Sequence, residues 1–74
     1  MTWNYRILRH ENGDLALHEV YYDEKGQPKA YTEQPISFFS DAEGGPEEIV
    51  GSLERALRDA KERSVLDVSD FPGG

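Results

Sequence analysis

The chain has no cysteine among its 74 residues. That excludes disulfides and thiolate metal sites, two of the usual supports for a domain whose small core stabilises it only marginally. Two histidines, His10 and His18, cannot complete a structural zinc site by themselves. Self-association is left as a route to further buried area. Long apolar runs are also missing: none approaches the ~20 residues that a membrane-spanning helix needs. The opening Met1-Thr2-Trp3-Asn4-Tyr5-Arg6 has no apolar stretch of the signal-peptide kind. Positive charge is scarce. Eight basic residues against 15 acidic ones leave a net charge of −7. Such a chain repels phosphate backbones and anionic lipid surfaces, and attracts basic proteins. Neither direct nucleic-acid binding nor membrane association is expected. These absences together lead us to expect a cytoplasmic protein of a prokaryote or phage.

Catalytic signatures are lacking as well. There is no Gly-x-Ser-x-Gly, P-loop or His-Glu-x-x-His pattern. Fifteen carboxylates guarantee that some lie close together, so proximity alone carries no chemistry. Acid–base catalysis needs a pocket that drives two pKa values apart, and a chain of this length has little room for one. The expectation is a protein that is not an enzyme and uses no cofactor.

What is present is a pattern of strands followed by a helix. Apolar and polar residues alternate from Trp3 to His10, and Asn12-Gly13 then gives a strong hairpin signal. A second strand runs from Leu15 to Tyr22. If Asn12-Gly13 forms a two-residue turn, Leu8 faces Leu17, Arg6 faces Glu19 and Tyr5 faces Val20. Trp3, Tyr5, Ile7, Val20 and Tyr22 then share the core face, with His18 and Arg9 near the turn. Asp23-Glu24-Lys25-Gly26 suits a type I turn with a left-handed glycine. Pro28 cannot donate to a ladder, so the third strand is expected to follow it, placing Ala30 in the core and Tyr31 outside.

Pro35 to Gly45 reads as a connection whose Phe38-Phe39 pair docks on the core. Pro46 opens a helix, with Glu47 and Glu48 in its first turn. Ile49, Leu53, Ala56, Leu57 and Ala60 recur at helical spacing as one stripe, and the helix is expected to end near Arg63. Val65, Leu66, Val68 and Phe71 are too apolar for a free tail and are expected to pack back. The predicted fold is a single α+β domain over 1–74. A three-stranded antiparallel meander (about 2–10, 15–22, 29–34) leads through a connection (35–45) to one amphipathic helix (about 46–63), followed by a docked C-terminal segment (64–74).

Trp-Asn-Tyr-Arg at Trp3–Arg6 and His-Glu-Val-Tyr-Tyr-Asp-Glu at His18–Glu24 resemble a group of small bacterial proteins of unknown function. So do Gly26, Pro28 and Ala30-Tyr31-Thr32-Glu33, and Val-Leu-Asp at Val65–Asp67 after the helix. The resemblance implies a shared architecture and supplies no activity, ligand or site residue.

Function is expected to lie in the sheet face opposite the core. The two-residue turn puts Arg6, Leu8, Leu17 and Tyr21 there, the Asp23–Gly26 turn adds Tyr31, and Tyr and Arg favour protein interfaces. A basic protein or a second copy of the chain is the partner this face suits. The same register points His10 and His18 to opposite faces, so they cannot share an ion, and makes His18 a core residue bonded to a neighbour such as Thr32. Two alternatives follow from other features. Acidity in a small protein fits an inhibitor that mimics nucleic acid, although the carboxylates are interspersed with Arg and Lys. The Gly73-Gly74 terminus resembles that of ubiquitin-like modifiers and sulfur carriers, although those place a helix directly after the first hairpin.

Overall fold

The computed structural model describes residues 2–38 and 44–72. In chain order it contains β1 (Thr2–Arg9), β2 (Leu15–Tyr22), β3 (Pro28–Tyr31), α1 (Gly45–Glu62) and β4 (Leu66–Asp67), then a 3-10 turn over Val68–Asp70. The α+β class is as expected. The sheet, however, has four strands in the order β3-β2-β1-β4 and is mixed, because β4 runs parallel to β1 through Leu8–Leu66 and Arg9–Asp67. The tail therefore contributes a strand as well as docking. Among the described residues no helix is long and apolar enough to cross a membrane.

The first hairpin is shifted one residue from the expected register. Leu8 pairs with Ala16, Arg6 with His18 and Asn4 with Val20. The cause is the turn. A type I′ turn needs positive φ at both central residues, but no non-glycine residue among those described has positive φ. Of the two central residues only Gly13 does, at 92°. The loop is instead three residues long, closed by Gly13 N–H to His10 C=O (2.9 Å) and His10 N–H to Asp14 C=O (2.9 Å). Asn12 Oδ1 accepts the Asp14 N–H at 3.0 Å. The second hairpin repeats the design: Gly26, φ 79°, donates to Asp23 C=O, and Asp23 Oδ1 accepts from the Lys25 and Gln27 amides. That turn is the one expected.

A one-residue slip moves a strand's side chains to the other face, and it does so here. One face carries Asn4, Arg6 and Leu8 of β1 with Ala16, His18, Val20 and Tyr22 of β2; the other carries Trp3, Tyr5, Ile7 and Arg9 with Leu15, Leu17, Glu19 and Tyr21. A bulge between Tyr21 and Tyr22 lets Tyr22 pair with Pro28 and Val20 with Tyr31. Tyr31 thus joins the Val20 face and Ala30 the opposite one, the reverse of the expectation.

The core lies on the Val20 face. Leu8, His18 and Val20 are wholly buried. Leu8, Val20, Tyr22 and Phe71 form one cluster, with Tyr31, Leu66 and Val68 packed against it. The C-terminal segment closes this face. Its 3-10 turn is held by a capping box between Asp67 and Asp70, which delivers Phe71 to within 4.7 Å of the Tyr31 ring in an edge-on contact. On the other face Tyr5 is buried, with Trp3 edge-on at 5.2 Å and Phe38 at 6.0 Å. Phe38 thus docks as expected; Phe39 lies outside the described residues.

α1 lies along β1. β4 covers the outer edge of β1 only at Leu8 and Arg9, so the edge needs another acceptor farther back. The buried carboxylate of Asp59 supplies it, accepting the Tyr5 N–H at 3.2 Å.

Candidate functional site

Asp59 sets the rotation of α1, and that rotation decides what the helix shows. Ala56 and Asp59 are buried, and Ile49, Ser52 and Ala60 are half-buried. Each helical residue advances by about 100°. Val50, Leu53 and Leu57, each one position beyond a sheet-facing residue, therefore form a neighbouring stripe turned outward. Their exposures are 52%, 47% and 59%. The expected single stripe is split, with its alanines facing the sheet and its leucines facing solvent. Charge on the helix is also uneven. Glu47 and Glu48 are the charged residues of its first turn, while Arg55, Arg58 and Lys61 of the second half are interspersed with Glu54, Asp59 and Glu62.

The five residues expected to share an interaction face do not share one. Leu8 is in the core because the shifted register turns it inward. Arg6 shares its face with Leu8, and its guanidinium bonds Ser64 C=O (2.9 Å), Ser64 Oγ (2.9 Å) and Tyr22 Oη (3.0 Å). Tyr31 packs on the core. Leu17 and Tyr21 remain together on the opposite face, half-buried. There the Tyr21 hydroxyl donates to Glu19 at 2.7 Å, a bond that raises the Tyr21 pKa above its ordinary value.

No protein-family model, curated protein or solved structure matches this chain. Functional reading therefore rests on the chain's own geometry. The Gly73-Gly74 pair that raised the modifier or carrier alternative lies outside the described residues.

A second cluster sits at the turn end of the core face. His10 and His18 lie on one face, not on opposite faces, again because of the register. Their Nε2 atoms are 3.0 Å apart. The His18 Nδ1–H donates to Thr32 C=O at 2.9 Å, with Thr32 Oγ1 at 3.2 Å. The expected bond to Thr32 is thus present. Donation from Nδ1 leaves the His18 Nε2 lone pair to accept from His10 in the neutral pair. Burial pushes the His18 pKa below its ordinary 6.5. Repulsion from His10 acts in the same direction, and the Thr32 carbonyl opposes both. Tyr31 stands edge-on to both imidazoles, at 5.3 Å from His18 and 6.5 Å from His10. An open cleft beside the pair is lined by His10, Glu11, Asp14, Ala16, Tyr31 and Val68, among others.

Proposed function

We propose that this protein is a small interaction module, acting by binding and not by catalysis, whose working surface is α1 and whose partner is a second copy of the chain. The exposed stripe Val50-Leu53-Leu57 carries the reading. An amphipathic helix normally turns its largest apolar residues to its own core, and here three are left in water beside buried Ala56.

Charge selects the occupant. The first turn of the helix carries Glu47 and Glu48 and the last carries Lys61, so an antiparallel second copy brings opposite charges together at both ends. With the stripe as seam, Glu47 of one copy lies alongside Lys61 of the other. Antiparallel helix dipoles add to the attraction. An 18-residue helix is about 27 Å long, enough for five turns of contact. The surface is consequently the helix, where the sequence pattern had pointed to the sheet.

Sedimentation equilibrium across concentration and salt tests this. The protein should show a reversible monomer–dimer equilibrium that weakens with salt. Leu53→Glu should sediment as a monomer with an unchanged far-ultraviolet circular dichroism spectrum. A wild-type chain that stays monomeric at millimolar concentration contradicts the proposal, as does a Leu53→Glu chain that dimerises equally well.

A further inference from the structure

We infer that His10 and His18 form a binding site for a divalent transition-metal ion of the zinc type, independent of the α1 surface. Two imidazole nitrogens on one tetrahedral zinc ion, each bonded at about 2.0–2.1 Å, stand about 3.3 Å apart. The two Nε2 atoms stand at 3.0 Å. An ion can replace the proton that the pair shares once the rings part by a few tenths of an ångström and each turns its Nε2 lone pair off the N–N line toward the ion. Imidazole ligands suit zinc, copper and nickel.

Three further observations prepare the site. His18 is held by the Thr32 carbonyl on Nδ1, the outer contact that orients a ligating histidine and directs its other lone pair at the metal. The buried His18 ring is kept neutral at pH 7, as a ligand must be. The cleft beside His10 gives entry, and the carboxylates of Glu11 and Asp14 on its lining place negative charge near an arriving cation. Among the described residues no three His, Cys, Asp or Glu side chains gather around one point. The chain therefore supplies two ligands, and water or a small anion fills the remaining positions.

Protons compete with the ion. Tyr31 from β3 faces the pair, Glu11 and Asp14 from the hairpin loop line the cleft at His10, and Arg6, paired with His18 on β1, turns its guanidinium to Tyr22 and Ser64. Of these and the pair itself, the imidazoles are the groups whose ordinary pKa lies nearest neutrality. Affinity should fall in acid, where protons take the imidazole lone pairs that the ion needs.

Titration of the metal-free chain with zinc chloride at pH 7.5, followed by calorimetry, tests the inference. One ion should bind per chain. His10→Gln removes a ligand yet keeps an amide donor for the His18 Nε2, and should lower affinity at least tenfold. Proton NMR of the wild-type chain supplies a readout that needs no variant: the ring signals of both histidines should move together and saturate with the heat. Absence of saturable binding overturns the inference. So does zinc binding that leaves the ring signals unmoved, or that His10→Gln leaves at full strength, since surface carboxylates would then hold the ion.

Discussion

The core face and α1 hold the same kinds of residue and treat them oppositely. On the Val20 face every large apolar group is driven inward, with Leu8 and Val20 fully buried and Phe71 brought down as a lid. On α1 the leucines face water and the small Ala56 faces the sheet. The difference lies in what fixes each element. β1 and β2 are set by two turns whose loop lengths leave one register. α1 is set by a polar anchor, Asp59 on the Tyr5 amide. Satisfying a strand edge has taken precedence over burying leucine, and the apolar stripe is left for another surface.

The sharpest way to break the comparison is to delete equivalent side chains from the two regions. Leu8→Ala should cost about 2–5 kcal/mol, a large share of the stability of so small a domain. Leu57→Ala, measured in urea at concentrations where the chain is monomeric, should cost no more than about 0.5 kcal/mol. Similar costs would mean that Leu57 is covered in the monomer. Removing the anchor comes next. Asp59→Ala strands the Tyr5 N–H without its acceptor and should cost about 1–3 kcal/mol. Asp59→Asn keeps an oxygen there and should lose less. If Asp59→Ala is neutral in the same urea experiment, the edge bond does not orient the helix.

Acidification should act more gently, through His18 in the core. The folded-state pKa of His18 lies below its ordinary 6.5. The unfolded chain therefore binds more protons in that window. The contribution is fully present above about pH 6.5 and is lost as pH falls through the lowered folded value. Thermal midpoints of wild type and His18→Gln, compared between pH 7.5 and 5, isolate this part, and the wild-type midpoint should fall more steeply. Smallest is a gain. Gly51 has ordinary φ, and a Cβ there meets nothing within 4 Å. Gly51→Ala should stabilise the helix by somewhat under about 1 kcal/mol, read as a raised urea midpoint.

Much of this fold can be read from the chain. Alternation marks β1 and β2, Pro46 with two glutamates marks the start of α1, and Asp23–Gly26 declares its turn. Face assignment is not legible, because Asn12-Gly13 serves two hairpin loops that both need a left-handed glycine. What separates them is the φ of Asn12, which its side-chain bond to the Asp14 amide leaves negative. That single residue moved Leu8 inward, helped to split the expected interaction face and brought His10 to His18, while the bulge between Tyr21 and Tyr22 brought Tyr31 to the core face. β4 is two residues long and has no periodicity to show. The outward turn of Leu53 and Leu57 was hidden for another reason: a helical stripe reports that residues share a side, and Asp59 decides which side meets the sheet.

The chain's lack of cysteine permits the most direct test of the paired helix. Single cysteines are placed at Glu54, at Glu47 and, as a remote control, at Lys25, and each protein is oxidised mildly at a concentration where dimer forms. Antiparallel pairing about the middle of α1 predicts fast disulfide formation for Glu54→Cys, slow formation for Glu47→Cys alone, and fast formation when Glu47→Cys is mixed with Lys61→Cys. A Glu54→Cys chain that links no faster than Lys25→Cys would contradict the account, and Glu47→Cys linking rapidly to itself would show the helices to be parallel.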